Sequence, residues 1–493
     1  MSQISVNDLS FTYDGSFEPV FEHVTFNIDT DWRLGFIGRN GRGKTTFLKL
    51  LMGEYQYSGK IVSSVKFDYF PPDVPDMSRT AAEVAAGVAP EAPEWRLLRE
   101  MALLEIPERL LSQPFGTLSN GERTKLLICA LFLREHNFLL IDEPTNHLDM
   151  HGRDVMKKYL AGKSGFILVS HDRAFLDACI DHVLSIGRAN ITVQQGNFTS
   201  WYENKRRQDG YELSENDRLK KDIKRLKNAA NEARRWADNV ESTKIGKKHT
   251  AEKSIDSRAY IGEKSRRMQQ RRKNLEKRSV DEAEKKSGLL KNVERAEPLK
   301  LTCAESRGKL IGARGISVSY GGVPVFSDIS FTLETGQRLA LCGRNGCGKS
   351  SVLKLIAGEE LEHSGELYIK SGLTFSCLPQ DTGFLCGDLD RFSEERGIDK
   401  SRFMTILRKL DFSRPQLERR LEDMSGGQKK KVLIAACLCE TADVYLWDEP
   451  LNFVDIESRI QIEELLLGSE PTMIFVEHDR AFVEHVATDI LEF

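Results

Sequence analysis

Apolar residues recur with roughly the period of half-buried strands at Ile4, Val6, Leu9 and Phe11 and again at Val24, Phe26 and Ile28, which predicts a small antiparallel sheet. An unbroken apolar run from Leu34 to Ile37 predicts a buried strand that leads, through a glycine-rich loop, into a helix over Thr46–Met52. Phe138 to Ile141 and Phe166 to Val169 read as two further buried strands, and a helix is expected from Arg123. Past Trp201 the period changes. Leu219, Ile223, Leu226, Ala230, Ala233, Ala237 and Val240 step alternately by four and three, the seam of a coiled coil. A helix beginning near Trp201 and running for roughly 40 residues would be about 60 Å long. Gly246 and the mixed run 244–257 interrupt it, and Met268, Leu275, Leu289 and Leu290 form a weaker seam for a returning antiparallel helix.

The first glycine-rich loop is Gly38-Arg39-Asn40-Gly41-Arg42-Gly43-Lys44-Thr45, followed by Thr46. Its glycines let backbone N–H groups curl around phosphates, Lys44 neutralises phosphate charge, and the Thr45 hydroxyl can ligate magnesium. The run Phe138 to Ile141 ends in Asp142 and Glu143. An acid at a parallel strand end beside a phosphate loop suits a magnesium ligand, and the next acid can polarise an attacking water. His171 follows the next apolar strand. Ser119-Asn120-Gly121 precedes a helix, which alone is as often an N-cap as a ligand site.

All of these recur. The second loop is Gly343-Arg344-Asn345-Gly346-Cys347-Gly348-Lys349-Ser350, followed by Ser351; then come Ser425-Gly426-Gly427, Asp448-Glu449 and His478. Loop lysine to glutamate spans 99 residues in the first half and 100 in the second, and glutamate to histidine spans 28 and 29. We read a tandem duplication with an offset near 306 residues.

Charge is unevenly spread. The 493-residue chain carries a net charge of −3, yet 204–300 holds 29 Lys/Arg against 17 Asp/Glu, leaving the remainder near −15. Thirteen of those basic residues fall within 242–278, against four acids. Such density suits phosphate-backbone contact, although a solvated coiled-coil spacer also carries charge. Lys244, Lys247, Lys248, Arg266, Arg267, Arg271 and Arg272 are the candidate RNA contacts, with a hairpin tip near 242–258. No apolar run reaches membrane-spanning length and no signal pattern opens the chain, so a cytoplasmic protein is expected. The nine cysteines show no metal or disulfide spacing.

Taken together, the phosphate loops, Ser-x-Gly signatures, acid pairs and histidines resemble those of ATP-binding cassette (ABC) proteins. The resemblance implies an α/β fold with two tandem P-loop ATPase domains, 1–200 and 301–493, joined by a helical hairpin over 201–300. It implies ATP and Mg2+ as cofactors and His171 and His478 as γ-phosphate sensors. It also implies that each signature completes the opposite site, within one monomer whose cassettes pair intramolecularly. Site one would combine Lys44, Thr45, Asp142, Glu143 and His171 with Ser425 and Gly427. Site two would combine Lys349, Ser350, Gln380, Asp448, Glu449 and His478 with Ser119 and Gly121. Tyr13 and Tyr320 match the family's adenine-stacking aromatic, although a strand tyrosine also packs on its own sheet. Gln380 matches a glutamine that touches magnesium and the attacking water, whereas Pro72 stands at its first-half position and has no coordinating side chain. The sites are therefore expected to be inequivalent.

Two cassettes joined by a basic helical connector resemble the ABC-F translation ATPases. The run Trp447 to Asn452 and the stretch Gly426 to Lys431 resemble the antibiotic-resistance, ribosome-protection branch of the Lsa/Vga kind. The interval from glutamine position to signature is 47 residues in the first half and 45 in the second, which leaves no room for the extra arm of many housekeeping members. The implied partners are the ribosome, with rRNA near the tRNA exit site and the peptidyl-transferase centre, and P-site tRNA; no membrane is involved. A housekeeping translation factor, a transporter ATPase subunit and a DNA-repair ATPase remain as alternatives.

Overall fold

The computed structural model describes residues 2–15, 19–135, 137–187, 191–244, 270, 297–304 and 306–493, with the backbone alone at 227, 229, 230 and 233–244. The chain separates into one compact unit made of Met1–Trp201 with Ala296–Phe493, and a second made of Tyr202–Arg295.

Within the first unit each half repeats one plan. β1 (Gln3–Phe11) pairs antiparallel with β2 (Phe21–Asp29) in the register Ile4 to Ile28 and Val6 to Phe26, which turns these apolar side chains to one buried face. β3 (Arg33–Ile37) runs into the phosphate loop, and β4 (Ser58–Val62) completes the small sheet on the other edge of β1. β5 (Lys66–Phe70), β6 (Asn137–Asp142), β7 (Phe166–Val169), β8 (His182–Ile186) and β9 (Ile191–Gln195) join β3 in a sheet of order β5-β6-β7-β3-β8-β9. The chain thus leaves β3 where strand order reverses, the crevice in which such sheets hold ligands.

The second half repeats this with β10 (Lys309–Tyr320), β11 (Val323–Glu334), β12 (Arg338–Cys342) and β13 (His363–Ile369), followed by β14 (Phe375–Leu378), β15 (Val444–Asp448), β16 (Met473–Val476) and β17 (Asp489–Glu492). Its sheets are ordered β11-β10-β13 and β14-β15-β16-β12-β17. Phe36, Phe47, Phe138 and Ile167 fill the core of the first half, and Tyr445, Trp447 and Phe475 that of the second. The expected tandem α/β architecture is present.

One signature helix starts earlier than expected for a local reason. The helix Asn120–Phe132 begins three residues before Arg123, because Ser119 and Glu122 form a reciprocal capping box. Ser425 and Gln428 do the same for Gly426–Cys439. The helix Phe198–Lys244 begins slightly before Trp201 and has 47 residues, a length of about 70 Å. Leu219, Ile223 and Leu226 lie on it as expected, and the backbone at Ala230, Ala233, Ala237, Val240 and Lys244 is helical. Most of the expected tip and return helix lies outside the described residues, as do Lys247, Lys248, Arg266, Arg267, Arg271 and Arg272.

Candidate functional site

Each phosphate loop ends in a glycine in the left-handed region, Gly43 at φ 91° and Gly348 at φ 98°, which caps the following helix. A Cβ at Gly43 would fall 2.5 Å from Val20, and one at Gly348 2.5 Å from Phe326, so space as well as φ requires glycine. Lys44 Nζ donates to the carbonyls of Gly38 (2.6 Å) and Arg39 (3.2 Å), and Lys349 Nζ to those of Gly343 (3.0 Å) and Arg344 (2.8 Å). Both amines are thereby centred in their loops.

The second site is a cavity of about 980 Å3 built from both halves. Asn345, Gly346, Gly348, Lys349, Ser350 and Ser351 line it from the loop and helix, and Tyr320 from the end of β10. Gln380, Glu449 and His478 line it beyond β14, β15 and β16, and Ser119 and Gly121 enter from the first half. Gly343 contributes its carbonyl to Lys349, while Asp448 sits buried behind the opening. Tyr320 Oη lies 3.1 Å from Ser351 Oγ, with its ring half exposed; Tyr13 Oη lies 2.6 Å from Thr46 Oγ1 in the same way.

The acids differ between sites. Glu449 Oε2 accepts from Gln380 Nε2 at 2.9 Å and from the Asn452 amide. Burial alone would raise its carboxyl, but His478, Lys430 and Gln380 outweigh this and hold it below the usual range. His478 Nε2 stands 3.4 Å from Glu449 Oε1, at ion-pair distance but outside hydrogen-bond alignment. In the first site neither carboxylate oxygen of Glu143 has a hydrogen-bond partner among the described residues. Burial, then Asp142, pushes Glu143 up to about 8. His171 Nε2 lies 3.2 Å away and is driven well below its ordinary value by burial and by Lys44. Asp142 Oδ2 accepts from Thr45 Oγ1 at 2.8 Å and from Tyr69 Oη at 3.0 Å. Pro72 offers no amide to this site.

The halves clasp where loop and signature residues of the motifs meet partners the motif reading did not single out. Asn345 reaches the first half through Nδ2 to the His147 carbonyl (3.4 Å) and through its backbone N–H to Asp149 Oδ2 (3.3 Å). Asn40 Nδ2 donates to the equivalent carbonyl of Phe453 at 2.7 Å. Gly427 packs there so closely that a Cβ would meet Phe453 O at 2.4 Å and Asn40 Nδ2 at 2.7 Å. Ser425, one turn-start away, caps the same helix. Gly41 faces Gln416, Arg39 pairs with Asp411 (3.0 Å) and Glu457, and Arg173 pairs with Glu463 at 2.5 Å. The available signal was the repeated segment after each acid pair, Thr145 to Asp149 and Leu451 to Asp455.

The buried Asp448 Oδ1 and both ring nitrogens of His478 are without hydrogen-bond partners among the described residues. Unsatisfied acceptors beside a phosphate loop fit a site built for a nucleotide and its cation. The chain belongs to the ATP-binding cassette family: the family described as ABC transporter matches residues 21–146 and 326–452. Within it the relatives are of the ABC-F kind, and the chain is an ATPase with two ATP-binding cassettes. It is 27% identical to the ribosome protection protein VmlR of Bacillus subtilis over 96% of this chain and 84% of that protein. It is 24% identical to the energy-dependent translational throttle protein EttA of Haemophilus influenzae over 97% and 90%. Its fold is similar to the structure described as "Model of ribosome-bound archaeal Pelota and ABCE1", with TM-score 0.63, 20% identity and coverage of 99% and 76%. No described helix is long and apolar enough to cross a membrane.

Proposed function

We propose that the protein is a cytoplasmic, monomeric, ribosome-binding ATPase that protects the ribosome from antibiotics of the peptidyl-transferase centre. The observation that carries this reading is the two-halved ATP cavity in a chain similar along nearly its whole length to a ribosome protection protein. Two ATPs hold the cassettes together, and this form docks near the tRNA exit site. The connector 201–300, with Lys244, Lys247, Lys248, Arg266, Arg267, Arg271 and Arg272, grips RNA, reaches toward the P-site tRNA and lets a bound drug leave.

At each site the loop backbone and lysine hold the phosphates, Tyr13 or Tyr320 packs on adenine, and the opposite serine and glycine close over the γ-phosphate. Thr45 with Asp142, and Ser350 with Asp448 and Gln380, would hold Mg2+, which neutralises phosphate charge when bound. Glu143 or Glu449 accepts a proton from the water that attacks the γ-phosphorus as the bond to the β-phosphate oxygen breaks, and His171 or His478 contacts the γ-phosphate. ADP and phosphate then leave and the halves separate.

The test pairs Glu143→Gln with Glu449→Gln. The double variant should stay on ribosomes in ATP, and a sensitive host carrying the wild-type protein should gain resistance to drugs of that centre. Ribosome trapping without any change in drug susceptibility would favour the second reading, a housekeeping translation factor, which similarity to a translational throttle protein supports. No trapping would overturn both.

A further inference from the structure

Three positions around the second site carry residues unlike their first-half equivalents. Lys430 stands where the first half has Thr124, Leu451 where it has Thr145, and Glu477 where it has Ser170. In the first half the Thr145 and Ser170 hydroxyls simply bond each other at 3.1 Å. In the second, a leucine cannot do this. Glu477, 2% exposed, accepts instead from the backbone N–H of Leu451 at 2.7 Å and of His478 at 3.0 Å. A buried carboxylate is costly without opposite charge nearby.

Arg459 supplies most of it, with His478 and Arg153. Lys430, also 2% exposed, is a further buried charge on this side of the site. Its Nζ donates to the carbonyls of Pro379 (2.9 Å), Gln380 (3.3 Å) and Asp448 (3.1 Å). One amine thus ties the glutamine loop after β14 to the acid-bearing end of β15. Burial draws the amine down to about 8, and among its neighbours Glu477 does most to oppose this. The amine shares a second cavity, about 360 Å3, with Gln380, Glu449 and Asn452.

We propose that Lys430 and Glu477 form one buried charge set that positions Gln380 and Glu449 for water attack in the second site. Lys430 fixes the two backbones between which the 2.9 Å contact of Gln380 with Glu449 spans, and Glu477 fixes the loop after the acid to the backbone of the sensor histidine. Both are positioning residues. The first half, with proline at the glutamine position, has no amide to place and has threonine where the lysine would be. The proposal rests on the roles assigned above to Gln380 and Glu449.

The test uses the full-length protein with Glu143→Gln, so that turnover reports the second site. Lys430→Met should lower kcat on the order of 10²-fold, the cost of displacing a reacting group by about 1 Å, with KM for ATP changed less than about threefold. Lys430→Arg should recover part of the loss. The triple variant Lys430→Thr, Leu451→Thr, Glu477→Ser installs the first-half set, which packs without buried charge; its melting temperature should stay near the parent's while kcat remains low. That variant decides the matter if Lys430→Met fails to fold. Parental turnover in the triple variant, or a fall in Lys430→Met confined to KM, would overturn the proposal. No turnover in the Glu143→Gln parent would instead overturn the assignment of Glu449.

Discussion

Glu143 and Glu449 occupy the same place in their halves, yet only Glu449 is braced by side-chain amides, those of Gln380 and Asn452. A general base contributes about 10² to 10⁴ in rate only when held in line with its water. Glu449→Gln should therefore remove most steady-state phosphate release at saturating ATP, about 10²-fold at its own site, and Glu143→Gln the smaller share. Equal losses would contradict the inequivalence. A second single-residue prediction concerns Asp455, whose carboxylate lies 2.5 Å from Lys431 with both side chains buried. Although burial opposes it, Lys431 and the Ser458 N–H hold this carboxyl far below its ordinary 3.8. A depressed acid contributes stability above its unfolded value, and that contribution is lost as pH falls below it. Asp455→Asn should cost about 3–5 kcal/mol at pH 7 by leaving Lys431 unpaired, and the gap to wild type should narrow below about pH 4 in denaturant titrations. At this scale the loop lysines, acid pairs and signatures were legible because each chemistry needs a residue type at a set spacing. Lys430, Tyr69 and His147 were not, since their roles come from contacts with segments distant in sequence.

The strand runs and the two phosphate loops were readable as elements because period and glycine content are local. The first signature helix starts earlier than its apolar pattern indicates, since a capping box involves the polar residues before the first apolar turn. The connector helix was legible from its heptads, and its 47 residues exceed what the seam alone marks. If its basic stretch grips phosphates, replacing Lys247, Lys248, Arg266, Arg267, Arg271 and Arg272 by alanine should weaken ribosome binding. The slope of log affinity against log salt should also become shallower, by roughly 0.7 to 0.9 per lost phosphate contact. An unchanged slope in pelleting assays across salt would remove these residues from the interface.

At the scale of the whole molecule the two halves are held by reciprocal clasps, Asn40 on Phe453 and Asn345 on His147, and by Arg39 and Arg173 reaching acids of the second half. That Ser119 and Gly121 of the first half line the second-site cavity makes a direct prediction. Gly121→Asp should depress turnover about tenfold or more when only the second site is active, in the Glu143→Gln background, and should spare the first site in the Glu449→Gln background. Phosphate-release rates of the four variants would decide this, and the reverse pattern would refute the pairing. The duplication itself was evident from four motifs at offsets within one residue of 306, whereas the contacts between copies were not, because a repeat is silent about which of its faces meets its twin.

Ser119 spends an oxygen on the first turn of its own helix while lining a cavity whose phosphate loop belongs to the other copy. Damage to that signature should consequently be expressed as a failure of the opposite half's chemistry. The two copies have been free to diverge in sequence, as Pro72 and Gln380 attest, but not to acquire separate fates.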